Sequence, residues 1–192
     1  MTLPNKLTLI RICASPLFFI FFFSDSWFHL HTLVSGIFIA LLFVIIELTD
    51  LLDGHFARKL NQTTDVGKVM DPFADSLSRI TYFLCFTIYG IMPVWIFCMV
   101  LYRDLAVSFI RQLVARQGIS MSARFSGKVK ALAYALAGLG GVFSVFLKKG
   151  HYFTQAQTWI DVIVFILFVI TGCAAVWSLA DYGASLKGTL KK

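Results

Sequence analysis

Six long apolar stretches follow one another along the chain, and short polar segments separate them. They cover residues 7–23, 32–49, 69–89, 93–114, 129–147 and 159–180. Each stretch is close to the ~20 residues that an α-helix needs to cross the hydrocarbon core of a bilayer. The boundary between the third and fourth stretches, near Gly90 and Pro93, is the weakest. The pattern predicts an all-α fold, a polytopic membrane protein with six transmembrane helices in a single domain over residues 1–192.

The basic residues predict the orientation of these helices. Of the 17 Lys and Arg residues, only Lys148 and Lys149 fall in a predicted outer loop, while Arg79 and Arg103 fall within helices. Cytoplasmic loops of membrane proteins are enriched in Lys and Arg. The bias therefore predicts that both termini lie in the cytoplasm, for a chain in the inner (cytoplasmic) membrane of the cell.

The composition supports a membrane protein and narrows the partners. Hydrophobic residues make up 58% of the chain and charged residues 14%, against about 25% charged in an ordinary soluble domain. The net charge of +7 is spread between apolar runs, so membrane lipids and phosphorylated substrates are favoured over nucleic acid. The four cysteines lie in apolar stretches without a C-x-x-C pair, which argues against a disulfide scaffold and a thiolate zinc site.

Two pairs of aspartates are the main candidates for chemistry. Asp50 and Asp53 end the second apolar stretch, and Asp71 and Asp75 begin the third. Spacings of three and four residues place each pair on one face of a helix, and an antiparallel turn would bring the two pairs together. Carboxylates at a membrane boundary are costly unless they are paired or bind a cation. Hard divalent cations prefer such oxygen ligands, and two of them can clamp a phosphoryl group.

Small and basic residues between the aspartates fit a phosphate site. Gly54 allows close approach of a ligand, Gly67 permits the same or a turn, and the Arg58 guanidinium matches phosphate oxygens. Taken singly, each residue also has a structural explanation, such as a helix cap, a turn or a surface anchor. The joint pattern of eight fixed positions within residues 50–75 favours a functional site.

This segment matches D-x2-D-G-x2-A-R-x8-G-x3-D-x3-D and so resembles the signature of the CDP-alcohol phosphotransferase family at every fixed position. The resemblance implies that the four aspartates bind two divalent ions, Mg²⁺ or Mn²⁺. It implies that Asp75 is the general base on the acceptor hydroxyl. It also implies that Gly54, Arg58 and Gly67 line the CDP site, with Thr64 near the nucleotide, and that the protein is a homodimer.

The beginning of the chain carries a second resemblance. Residues 3–11, Leu-Pro-Asn-Lys-Leu-Thr-Leu-Ile-Arg, are similar to the start of bacterial phosphatidylglycerophosphate synthases, a subfamily of the same family. Asn5, Thr8 and Arg11 recur every three residues, so they can share one helix face turned towards the CDP-lipid site. A helix cap and a surface anchor are the structural alternative.

Basic residues later in the chain are candidates for binding the acceptor. Tyr102-Arg103-Asp104, Arg111 and the run Gly127-Lys128-Val129-Lys130 also resemble that subfamily. A charged side chain inside an apolar helix, as at position 103, needs a partner or a function. Arg103, Arg111, Lys128 and Lys130 are predicted to hold the phosphate of the acceptor. The alternative is that the last three only contribute to the cytoplasmic excess of positive charge.

The resemblance implies a transfer between two specific substrates on the cytoplasmic side. The donor is CDP-diacylglycerol, the acceptor is glycerol 3-phosphate, and the products are phosphatidylglycerol phosphate and CMP. A related enzyme with serine or inositol phosphate as acceptor remains an alternative. A divalent-cation transporter is the alternative from another class, because membrane carboxylates also mark ion pathways. The position of the aspartates at helix ends argues against it.

Overall fold

The computed structural model describes residues 2–59, 65–116, 125–153 and 155–189. All regular elements in these ranges are α-helices, so the predicted all-α fold is confirmed. Six helices are 20 to 33 residues long, and α2 has five residues. The helices are α1 (Leu3–Phe22), α2 (Ser24–Phe28), α3 (Thr32–Lys59), α4 (Asp65–Ile88), α5 (Val94–Arg116), α6 (Phe125–Gly150) and α7 (Gln157–Thr189).

Four segments in the described ranges are long and apolar enough to cross a membrane: Leu3–Phe22, Thr32–Asp53, Phe125–Gly150 and Gln157–Ala184. Helices α4 and α5, with 24 and 23 residues, are also long enough to span a bilayer. Helix α4 carries five charged residues, including the second aspartate pair, and α5 carries four. The protein is thus a helical membrane protein, and the count of six spans stays a prediction.

Proline and glycine fix two helix boundaries. Pro4 lies in the first turn of α1, where its missing N–H is not needed. Gly90 has a φ of 83°, a left-handed conformation that glycine adopts without strain. It ends α4, and the amides of Ile91 and Met92 then bond to the Phe86 carbonyl. This tight turn confirms a helix break where the hydropathy pattern is weakest.

Aromatic side chains fill the interior of the bundle. Helix α1 packs against α3 and α4, while α6 packs against α3 and α7, and α5 packs against α7. Two glycines of α6 allow close packing: a Cβ atom on Gly138 would lie 2.8 Å from the Phe43 ring, and one on Gly141 would lie 2.5 Å from the Phe86 ring. Small residues at helix contacts are typical of membrane bundles. The fully buried aromatic residues are Phe18, Phe22, Tyr82, Phe83, Phe86, Tyr134, Phe168 and Tyr182.

Two ionic contacts join helices at the end of the bundle where α1 finishes. Lys149 of α6 is buried and lies 2.7 Å from Asp25, and its Nζ donates to the Phe22 carbonyl (3.0 Å) and Ser35 Oγ (3.2 Å). This group, called here the Lys149 clamp, joins α6 to α1, α2 and α3. Nearby, Lys148 Nζ lies 3.0 Å from Asp161 Oδ2 on α7. The opposite end of the bundle carries the candidate site.

Candidate active site

The four motif aspartates, called here the carboxylate cluster, lie on α3 (Asp50 and Asp53) and α4 (Asp71 and Asp75). Arg11 of α1 lies between the two helices with its side chain fully buried. Its Nη1 is 2.7 Å from Asp50 Oδ1, and its Nη2 donates to Asp53 Oδ2 and lies 3.7 Å from Asp71 Oδ1. One guanidinium from α1 therefore contacts three of the four aspartates.

The carboxylates also lie close to one another. Asp53 and Asp71 are within hydrogen-bond reach, and Asp50 interacts electrostatically with both Asp71 and Asp75. The two pairs predicted from the sequence therefore meet, and they do so across α1, which packs against both α3 and α4.

The carboxylate cluster is the candidate metal site. In the described ranges, no group of three or more carboxylate, imidazole or thiol side chains has the geometry of a metal site. Two guanidinium groups of the described residues contact the cluster, Arg11 at Asp50, Asp53 and Asp71, and Arg79 at Asp75. The donor set nonetheless fits hard divalent cations, because all four candidate ligands are carboxylates held on helices. The Asp71 side chain is 52% exposed, which leaves one side of the cluster open.

Asp75 has a separate basic partner. Its Oδ2 accepts a hydrogen bond from Arg79 Nη1 at 2.5 Å, one turn later on α4. The Arg79 guanidinium also lies 5.8 Å from the centre of the Tyr134 ring and within electrostatic range of Glu47 and Asp104. Arg79 therefore connects the carboxylate cluster to a second group of charges deeper in the bundle.

That second group centres on Asp104 of α5. Its Oδ1 accepts hydrogen bonds from Arg103 Nη1 (2.8 Å) and Lys130 Nζ (3.2 Å), and all three side chains are almost fully buried. Arg103 Nη2 also donates to Ser178 Oγ on α7 at 2.7 Å. Lys130 Nζ lies 4.3 Å from the centre of the Tyr134 ring. Two cations against one carboxylate leave a buried excess of positive charge.

Tyr182 of α7 contacts a third basic residue, Arg111. Arg111 Nη2 donates to the Tyr182 hydroxyl, and the guanidinium carbons of Arg103 and Arg111 lie 5.8 and 5.2 Å from the centre of the Tyr182 ring. Arg103, Arg111 and Lys130 are called here the cationic cluster. Lys128, which the sequence also assigns to the acceptor, has an exposed side chain at the start of α6.

The residues predicted on the first helix are on the inside of the bundle. Asn5 and Thr8 are buried, and Arg11 follows them at the same three-residue interval. The Thr8 hydroxyl donates to the Pro4 carbonyl at 3.1 Å, so it is satisfied within its own helix. This agrees with one inward face on α1.

The predicted nucleotide residues are only partly described. Gly54 and Arg58 belong to α3, with the Arg58 side chain outside the description, and Gly67 belongs to α4. Thr64 lies outside the described residues. Their assignment to the CDP site therefore stays a prediction.

An apolar groove runs along α1 and α4 beside the carboxylate cluster. It has a volume of about 460 Å³. Ile12 and Phe73 place one end of the groove at the same level of α1 and α4 as Arg11 and the second aspartate pair, on a neighbouring face of each helix. The lining residues are Ile12, Pro16, Phe19, Ile20, Phe73, Leu77, Ile80, Thr81 and Leu84.

Several residues of the site were not assigned a function from the sequence. Arg79 and Asp104 are charged residues in apolar helices, which is a signal that could have identified them. Ser178 and Tyr182 are single hydroxyl residues in an apolar helix, and the sequence carries no signal for them. Their involvement depends on how α7 packs against α5.

Comparison with known proteins establishes the class. The model of the CDP-alcohol phosphatidyltransferase family matches residues 1–176, so the chain belongs to that family. It is 35% identical over 162 residues to a CDP-diacylglycerol--glycerol-3-phosphate 3-phosphatidyltransferase of Treponema pallidum, covering 81% of this chain and 74% of the relative. A protein of the same name from Bacillus subtilis is 35% identical over 141 residues, or 70% of this chain and 73% of the relative.

A third relative of that name, from Haemophilus influenzae, is 28% identical over 195 residues, covering 98% of this chain and 95% of the relative. The similarity therefore extends well beyond the aspartate motif. The chain is an enzyme of a family that is generally dependent on divalent metals, and the predicted family is confirmed. Membership favours the phosphotransferase prediction over the cation transporter.

Proposed function

We propose that this protein transfers the phosphatidyl group of CDP-diacylglycerol to glycerol 3-phosphate, forming phosphatidylglycerol phosphate and CMP. The observation that carries the proposal is that two groups of opposite charge lie within electrostatic range of each other, with Arg79 between Asp75 and Asp104. The carboxylate cluster suits metal-bound pyrophosphate, and the cationic cluster suits a second, phosphorylated substrate. The names of the bacterial relatives support the same pair of substrates.

The carboxylate cluster is assigned to the donor. Asp50, Asp53, Asp71 and Asp75 would hold two divalent ions, Mg²⁺ or Mn²⁺, which when bound neutralise pyrophosphate charge and polarise the phosphorus under attack. The remaining donor contacts are assigned to the residues predicted from the sequence: Asn5, Thr8, Gly54, Arg58, Thr64 and Gly67. The apolar groove along α1 and α4 offers an acyl chain a path from the cluster into the bilayer.

Asp75 is assigned to the proton of the acceptor. The glycerol 3-phosphate hydroxyl oxygen attacks the phosphorus that carries diacylglycerol, while Asp75 takes the hydroxyl proton. The bond between that phosphorus and the bridging pyrophosphate oxygen breaks, and CMP leaves with the electron pair. The contact from Arg79, at 2.5 Å, holds the Asp75 carboxylate in one orientation.

The cationic cluster is assigned to the acceptor phosphate. Arg103 and Lys130 share one carboxylate, so their combined charge is only partly neutralised by Asp104. A phosphate next to buried cations forms charge-assisted hydrogen bonds, and Arg111 adds a third cation beside Tyr182. Choline or free inositol has no anionic group for such a site. Lys128 is exposed at the start of α6, and its role in binding the acceptor stays a prediction; Arg111 is exposed as well but contacts Tyr182.

The setting of the enzyme completes the proposal. The excess of Lys and Arg at one side supports a site at the cytoplasmic face of the inner membrane. Family resemblance favours a homodimer.

An acceptor panel tests the proposal. Purified protein with CDP-diacylglycerol and Mg²⁺ is given glycerol 3-phosphate, serine, inositol phosphate or choline, and CMP release is measured. Glycerol 3-phosphate should give the highest kcat/KM, EDTA should abolish release, and Mg²⁺ or Mn²⁺ should restore it. A preference for another alcohol would refute the acceptor assignment, and full turnover in EDTA would refute the metal assignment.

A further inference from the structure

Arg11 places a positive charge inside the carboxylate cluster, where divalent cations are proposed to bind. Its side chain is fully buried, and its two terminal nitrogens face the carboxylates of Asp50, Asp53 and Asp71. Its Nε makes no hydrogen bond to the described residues. The guanidinium therefore relies on the carboxylate cluster for its charge compensation.

A divalent ion on these aspartates would meet a fixed positive charge. Each carboxylate has lone pairs for more than one partner, so the oxygens could still serve both cations. Two positive charges a few ångströms apart in a partly buried site repel each other, however, because screening by water is weak there. Either the metal binds less tightly than the four aspartates alone would allow, or Arg11 moves away.

We propose that Arg11 is the resident counter-cation of the carboxylate cluster and that it competes with the divalent ions for the same aspartates. In this role it is a positioning residue. It holds α3 and α4 together through their carboxylates, and it lowers the affinity of the site for metal. The inference rests on the metal-binding part of the proposed function and is independent of the acceptor.

The competition predicts that removing the guanidinium tightens metal binding. Arg11→Gln keeps hydrogen-bonding groups but removes the charge, and Arg11→Lys keeps the charge without the fork. Mn²⁺ binding is measured on purified protein in detergent by electron paramagnetic resonance of the free ion, without substrates. Arg11→Gln should bind Mn²⁺ at least about tenfold more tightly, from the loss of one charge-assisted contact. Arg11→Lys should change the affinity less than Arg11→Gln.

A matched control separates metal affinity from stability. Lys149→Gln removes another buried cation, which pairs with Asp25 in the Lys149 clamp at the other end of the bundle. Both Gln variants should lower the thermal unfolding temperature without metal. Only Arg11→Gln should gain more stabilisation from added Mn²⁺ than the unchanged protein does.

Three results would overturn the inference. Unchanged or weaker Mn²⁺ binding by Arg11→Gln would show that Arg11 supports the metal site. Equal tightening in Lys149→Gln would point to a general loosening of the bundle. If Arg11→Gln does not fold, Arg11→Met is measured in its place, and unchanged or weaker Mn²⁺ binding by that variant would count against competition. Failure of the unchanged protein to bind Mn²⁺ would instead refute the metal assignment of the proposed function. A preference for another alcohol in the acceptor panel would refute the acceptor assignment only, because Mn²⁺ binding is measured without substrates.

Discussion

Lys128 and Lys130 provide a direct test of the acceptor site because they lie two residues apart on one helix. Lys130 is 4% exposed and lies 3.2 Å from Asp104, whereas Lys128 is exposed. Lys130→Gln removes a charge from the cationic cluster, and Lys128→Gln removes the same charge from the surface. The first change should weaken binding of glycerol 3-phosphate more than the second, because Lys130 is the one of the two lysines that contacts the buried Asp104.

The size of the effect follows from the loss of one charge-assisted hydrogen bond to phosphate. Such a bond contributes about 1.5–3 kcal/mol, which corresponds to roughly 10- to 150-fold in the KM for glycerol 3-phosphate. Folding should suffer less than the 3–5 kcal/mol typical of an orphaned buried charge. The reason is that Asp104 keeps its 2.8 Å contact with Arg103, and a Gln amide can still donate to it.

The assay measures KM for both substrates by CMP release, on variants with the same detergent-solubilised yield as the unchanged protein. Lys130→Gln should raise KM for glycerol 3-phosphate. It should leave KM for CDP-diacylglycerol within about twofold of the unchanged protein, which is a free-energy difference well below the ~1.4 kcal/mol of a tenfold change. An equal rise for Lys128→Gln would mean that both lysines bind the acceptor. If folded Lys130→Gln shows no rise in KM for glycerol 3-phosphate, the structure no longer supports a phosphate site at the cationic cluster.

Two further predictions concern the base and the core. Asp75→Asn should lower kcat by at least about a hundredfold, with a smaller effect on donor binding. The control Asp161→Asn, which alters the ion pair with Lys148, should keep near-normal kcat. Normal turnover in Asp75→Asn would mean that another group takes the proton of the acceptor hydroxyl. Gly141→Ala should destabilise the bundle by about 1–3 kcal/mol, because the new Cβ would lie 2.5 Å from the Phe86 ring. Gly183→Ala, with open space around it, should not lower the unfolding temperature, and equal unfolding temperatures for the two variants would contradict the tight contact.

The positions of the six long helices could be predicted from the sequence, whereas some of their ends could not. The apolar pattern places the second helix at residues 32–49 and the last at 159–180, but α3 continues to Lys59 and α7 to Thr189. Hydropathy indicates which residues prefer lipid. It does not indicate where a helix ends, because helical hydrogen bonds can continue into the polar residues beyond the apolar stretch. The five-residue α2 has no apolar period of its own and was not predicted.

The candidate site could also be predicted only in part, because spacing along one helix can be read from the sequence and contacts between helices cannot. The spacing of the aspartates fixes which carboxylates share a helix face, and the structure brings the two pairs together. The central place of Arg11 depends on α1 packing between α3 and α4, which no local pattern encodes. The separation of Lys130 from Lys128 follows from the rotation of α6 about its axis. Sequence spacing suggests that rotation, and the packing of α6 against α3 and α7 determines it.

The Lys149 clamp has a mechanical consequence for the distant site. It pins α1, α3 and α6 at one end of the bundle through contacts with Asp25, Ser35 and the Phe22 carbonyl. A helix of 20 residues is ~30 Å long, so a tilt of only about 2° about a pinned end displaces the other end by about 1 Å. The clamp can therefore act as a pivot for α3, so that Asp50 and Asp53 near its far end can shift towards a ligand while the aromatic core near the pivot moves much less.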